Sequence, residues 1–104
     1  MRDDIAVLSR FNELADSRNI HLADSKLPTG AKSVYVRNET TQLIMVSNSI
    51  SVKERVFEIA YCLGHATLHK DLNFNIFNNK DIPLKREINM EASRFANKLL
   101  ALLN

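Results

Sequence analysis

Residues 54–71 read ERVFEIAYCLGHATLHKD, and this stretch decides the fold. It starts inside "SVKE" (51–54), a capping box. Ser51 can accept a hydrogen bond from the amide of residue 54, while Glu54 can reach back to the amide of residue 51. A helix is expected to start here. Val52, Val56, Ile59 and Leu63 recur at helical steps and make one apolar stripe, with Phe57, Tyr61 and Leu68 on roughly the opposite side. A helix apolar on two sides is buried between other elements. The same helix carries Cys62, His65 and His69, residue types that bind zinc.

Upstream, a first helix is expected over about residues 4–18. Asp3 and Asp4 suit its positive N-terminal end. Ile5, Leu8, Phe11, Leu14 and Ala15 make its apolar face, and Asn19 can end it in a left-handed turn. "IHL" (20–22) reads as a short strand and "LPTGAK" (27–32) as a loop. "SVYVRN" (33–38) alternates Val34 and Val36 against Tyr35 and Arg37, so it reads as a half-buried strand. "NETT" (38–41) is a turn, and "QLIMVS" (42–47) is a continuous apolar run, as in a strand buried on both faces. Downstream, "DLNFNIFNNKDIP" (71–83) reads as a loop between helices, with Phe74, Ile76 and Phe77 apolar enough to pack back on the core. A last helix is expected over about residues 84–103, with Ile88, Ala92, Phe95, Leu99 and Leu102 at helical spacing. The fold class is therefore α+β: an N-terminal helix, a small three-stranded sheet or hairpin, and two further helices.

The chain has 104 residues, 45% hydrophobic and 25% charged, the size and composition of one globular domain spanning 1–104. Its net charge of +2 is spread out, with no basic stripe or aromatic platform of the kind nucleic acid requires. No apolar run approaches the ~18 residues of a membrane span. "MRDDIAVLSRFNEL" lacks the apolar segment of a signal peptide. One cysteine allows no internal disulfide and fits a reducing compartment, so the cytoplasm is expected.

Zinc peptidases use two imidazoles at i and i+4, about 5–6 Å apart on one helix face. A glutamate after the first histidine activates the metal-bound water. Around this helix the chain resembles the ImmA/IrrE-type metallopeptidase family of phages and mobile elements. The family reads roughly F-x-x-A-H-E-L-G-H-x-x-x-H, then E-x-x-A-N-x-F-A-x-x-L-L. This chain has Phe57-Glu58-Ile59-Ala60-Tyr61-Cys62-Leu63-Gly64-His65-Ala66-Thr67-Leu68-His69, then Asn89-Met90-Glu91-Ala92-Ser93-Arg94-Phe95-Ala96-Asn97-Lys98-Leu99-Leu100. With the leading helix, the Leu27-Pro28 loop and the hairpin, the resemblance covers roughly residues 5–103 and implies a minimal zincin-like fold.

Carried over residue by residue, the family's first histidine falls on Tyr61, its catalytic glutamate on Cys62 and its third ligand on Asn89; the second histidine is His65. Family-type catalysis is not expected from this set. A thiol with an ordinary pKa of about 8.5 binds metal as thiolate rather than orienting a water. No cofactor is expected. A rewired zinc site would draw on His65, Cys62, His69 and Glu91, with Glu58 or Glu87 as further carboxylates. On an intact helix, positions 62 and 69 lie about 10 Å apart along the axis, so a pair is easier than a triad. The bland expectations are a buried Cys62, a Tyr61 that fills the ion's volume with its hydroxyl on His65 or Asn89, and a half-buried, satisfied His65. Gly64 would let another backbone approach, His69 would cap the helix end, and Glu58 would be a solvated charge.

Family members recognise helix-turn-helix repressors and relieve repression by cleaving them. The resemblance thus implies a pseudoenzyme that binds such a repressor and sequesters it, as an antirepressor. The "QLIMVS" strand, at Leu43, Ile44, Met45 and Val46, would be the edge to which an extended segment adds. The alternative is an active or altered-site zinc peptidase. A third reading is a structural subunit: the chain stops soon after "LLALLN", where relatives often continue, which leaves apolar surface for a partner or a second copy.

Overall fold

The computed structural model describes residues 3–28, 30–68 and 83–102. The elements come in the expected order: α1 (Asp4–Ser17), β1 (Ile20–Ser25), β2 (Ser33–Arg37), β3 (Gln42–Ser47), α2 (Val52–Leu68) and α3 (Pro83–Leu102). The chain is an α+β domain with an N-terminal helix, a small sheet and two helices after it. Phe74, Ile76, Phe77 and the expected loop lie outside the described residues, apart from Pro83, which opens α3. Among the described residues no helix is long and apolar enough to cross a membrane.

α1 starts where its cap stands. The Asp3 carboxylate accepts hydrogen bonds from the amides of Ile5 at 3.1 Å and Ala6 at 3.3 Å. It ends before Asn19, whose φ of 58° is a left-handed conformation that asparagine tolerates. The buried row is Val7, Phe11 and Ala15, flanked by Leu8 and Leu14. Ile5, expected inward, is 74% exposed, because the row that meets the sheet and α2 is centred two residues away. β1 runs past the expected "IHL" to Ser25, since its pairing with β3 continues to Ser25↔Ser47. Tertiary pairing outweighs the poor strand propensity of Asp24 and Ser25.

The strand order is β1-β3-β2, with β1 parallel and β2 antiparallel to β3. Two expectations change here. First, β3 is the central strand, hydrogen-bonded on both sides, so it offers no edge to which a peptide could add. Second, burial does not alternate cleanly along β2: Val34 and Tyr35, on opposite faces, are both buried. Tyr35 pairs with Ile44, which pairs with Leu22, and paired residues share a face. That face carries Ile20, Leu22, Tyr35, Ile44 and Val46 and packs into the core. Val36 points to the other face and is exposed, with Leu43 and Met45 half-buried beside it. Tyr35 tolerates burial because its hydroxyl donates to Gln42 Oε1 at 2.8 Å. Asn38 closes the hairpin as expected: its Oδ1 accepts from the amides of Thr40 at 2.9 Å and Thr41 at 2.8 Å.

α2 lies between the sheet, α1 and α3. Its capping box forms: the Glu54 amide donates to Ser51 Oγ at 3.1 Å, and the Glu54 carboxylate accepts from the Ser51 backbone and, at 3.4 Å, from its hydroxyl. The same carboxylate also pairs with Lys32, 3.2 Å away. On α3 the buried row is Ile88, Ala92, Ala96 and Leu100, and Leu102 is 82% exposed. The expected Phe95 and Leu99 only flank this row. Alanines occupy its middle because α2 and α3 come too close for larger side chains. A Cβ on Gly64 would stand 3.1 Å from the Ala92 carbonyl oxygen and 3.1 Å from Phe95 Cδ1. The glycine is there for that approach.

Candidate functional site

The middle of α2 presents Glu58, Tyr61, Cys62 and His65 on neighbouring turns. Cys62 and His65 are buried, and Tyr61 and Glu58 half-buried. Side chains four apart on a helix meet, and Tyr61 and His65 do so ring to ring. Their centroids are 4.8 Å apart with the planes at 81°, an edge-to-face arrangement that aromatic rings favour. On its other side Tyr61 stacks on Phe57, with centroids at 6.2 Å and planes at 24°. A column Phe57–Tyr61–His65 thus runs along the helix. The observed contact of Tyr61 with His65 is therefore through the rings. His65 itself is 1% exposed, more deeply buried than the half-buried position expected.

Cys62 faces the sheet. The Ser33 hydroxyl, at the start of β2, donates to Glu58 Oε1 at 2.6 Å and also lies beside the thiol. Glu58 is thus a part-buried acceptor tied to the sheet, not the solvated charge expected. Burial pushes the Cys62 thiol up to about 12. The Ser33 hydrogen bond offsets part of that rise, and the Glu58 carboxylate adds to it. Burial likewise raises Tyr61 above its ordinary value, with the negative charges of Cys62 and Glu58 adding. At neutral pH the site holds a protonated thiol and a protonated phenol. A thiol with no solvent access and a raised pKa is neither a nucleophile nor a ready metal ligand.

Asn89 is half-buried on α3 and lines a depression with Arg86, Met90 and Ser93. Glu91 is exposed and lines a different depression, with Leu68, Phe95 and Lys98. Asn89, at the family's third ligand place, and Glu91 near it therefore face apart. His69 lies outside the described residues. The partner residues expected on β3 divide: Ile44 and Val46 are in the core, while Leu43 and Met45 lie on the outer face of the sheet.

A zinc ion of the peptidase type needs three deprotonated protein donors. Among the described residues no group of three His, Cys, Asp or Glu side chains is placed to hold a metal. Cys62 holds its proton, and aromatic carbon stands against the His65 ring. The described donor set does not fit a zinc ion. Ser33 is the residue that sequence reading missed: it opens an ordinary strand, and nothing local marks it as the partner of a side chain 25 positions away.

No curated protein matches the chain. The family model of the IrrE N-terminal-like domain matches residues 15–101, which span the end of α1, the whole sheet, α2 with its Tyr61–His65 column, and nearly all of α3. The chain therefore belongs to the IrrE N-terminal-like family of metallopeptidase-like domains.

Proposed function

We propose that this domain is a catalytically inactive member of its family that works by binding. Its partner is a helix-turn-helix repressor of a phage or mobile element, held intact rather than cleaved, so that the domain acts as an antirepressor. One observation carries the reading. Where a peptidase of this family would place its first histidine and its glutamate, this chain places a tyrosine ring packed on His65 and a buried thiol bonded into a Ser33–Glu58 pair. Those side chains fill the centre, and neither the tyrosine nor the protonated thiol offers the ionised base that the family's glutamate supplies.

The binding surface is the outer face of the sheet. Val36 is exposed there and Leu43 and Met45 are half-buried, a small apolar stripe on a strand pair whose other face is core. The edge of β2 away from β3 has no strand partner among the described residues, and an extended segment can add to an edge of that kind.

The test uses untagged protein. Metal is measured by mass spectrometry, melting is followed with added zinc and with chelator, and the protein is mixed with repressor-type helix-turn-helix proteins. The expected result is no stoichiometric metal, no thermal response to zinc or chelator, and a stable complex with an uncut repressor. A stoichiometric ion that raises the melting temperature, or cleavage of the repressor, would overturn the reading.

A further inference from the structure

A polar cleft of about 270 Å³ opens at the end of the sheet. Three segments far apart in sequence build it: Arg18 and Asn19 after α1, Arg37 at the end of β2, and the hairpin turn through Thr41. Its floor is ordered. Tyr35 donates to Gln42 Oε1 at 2.8 Å, Gln42 Nε2 donates to the Arg18 carbonyl at 3.4 Å, and the Arg37 guanidinium donates to the Tyr35 hydroxyl oxygen. Arg37 is placed by register, opposite Gln42 on the core-facing side of β2. Its Nη1 is fully buried and has no hydrogen-bond partner. A guanidinium is a fork built to grip two oxygens at once, and the part of Arg37 that lines the cleft is the part a ligand can reach.

The turn does not satisfy that donor. Asn38 Oδ1 is occupied by the amides of Thr40 and Thr41. Arg18 brings a second cation, steadied by a 2.6 Å bond from its Nη1 to Thr67 Oγ1 on α2. One carboxylate, Glu39, also lines the cleft. Two guanidinium groups against one carboxylate leave a single net positive charge, which suits a monoanion.

We propose that this cleft binds a carboxylate, gripped by Arg37 and supported by Arg18 and the Thr41 hydroxyl. The natural source is an acidic side chain or chain terminus of a bound polypeptide. The site is separate from the Tyr61–His65 column and stands whether or not the domain is an antirepressor.

The probe is sodium acetate, titrated into the full-length protein at constant ionic strength and followed by amide NMR, with chloride and inorganic phosphate as comparators. Expected are saturable shifts confined to residues 18–19 and 37–42. Arg37→Gln abolishes them. Arg37→Lys, which keeps the charge and the fold but loses the fork, weakens binding roughly tenfold. Glu39→Gln tightens it by roughly two- to fivefold, the size of one removed exposed charge. Shifts that fail to saturate, that chloride reproduces, or that survive unchanged in Arg37→Lys would overturn the site. Saturation by phosphate but not acetate would overturn the carboxylate assignment.

Discussion

Gly64 and Cys62 sit two residues apart on α2 and face opposite neighbours, one α3 and the other the sheet. Gly64→Ala gains about 1 kcal/mol of helix propensity. Against that, its Cβ would meet the Ala92 carbonyl oxygen at 3.1 Å, and backbone gives way at a cost of roughly 1–3 kcal/mol. A net loss of about 1 kcal/mol in a urea melt is expected; a gain would show that the two helices can part freely. The Cys62 thiol is raised from 9.0 to about 12 in the folded chain. The native state therefore keeps its proton after the unfolded chain has lost it. Stability is unaffected below pH 9 and falls above it, by up to about 1.4 kcal/mol per pH unit for this one group. Tyr35 and Tyr61 are also raised from 10.0 and add to the decline at higher pH. Urea midpoints from pH 7 to 11 should stay level and then drop. In Cys62→Ala the drop should begin about one unit later, at the onset set by the tyrosines. An identical onset in both proteins would remove Cys62 from the account. The identity of every residue in this centre was readable in advance; the burial of His65 and the part played by Ser33 were not, because both depend on what lies across the helix.

At the scale of elements, α2 is bound to its neighbours by different means on each side. Toward α3 the contact is close packing over Gly64, Ala92 and Ala96. Ala92 is fully buried, so Ala92→Leu should cost at least about 1–3 kcal/mol by overpacking, whereas the same change at exposed Ala101 should cost almost nothing. Toward the sheet the tie is polar. Ser33→Ala leaves the Glu58 carboxylate without its 2.6 Å donor, and a loss of about 1–2 kcal/mol is expected. Ser33→Ala, Glu58→Gln and the double variant, compared by denaturant melts, should be non-additive; simple additivity would mean the bond contributes nothing. Caps and helix limits were legible in the sequence almost to the residue, since Asp3, Asn19 and Ser51 act on their own few neighbours. The rows that face inward were legible only in part. In α1 and α3 the apolar residues span more than one row, and the row chosen is the one nearest the neighbouring element. Ile5 and Leu102 belong to rows that no described element covers.

Across the whole molecule, β3 holds the centre. It is paired along both edges, and Ile44 and Val46 beneath it are fully buried. Its amides should therefore exchange with solvent more slowly than those of α1 or the outer strands, at or near the global unfolding free energy. Faster exchange in β3 than in α1 would contradict this architecture. The amino-acid sequence by itself determined the order of the elements, their caps, the family, and which side chains stand at Tyr61, Cys62 and Asn89. These follow from side-chain identity and local spacing. Only the tertiary structure decided that β3 lies in the middle of the sheet and that Tyr35 rather than Val36 faces inward. It also joined Ser33 to Glu58 and brought Arg18 and Arg37 to one cleft. The physical reason is that alternation along a strand has a period of two whichever face is buried. The choice of face, and of neighbours distant in sequence, is made by what the sheet packs against.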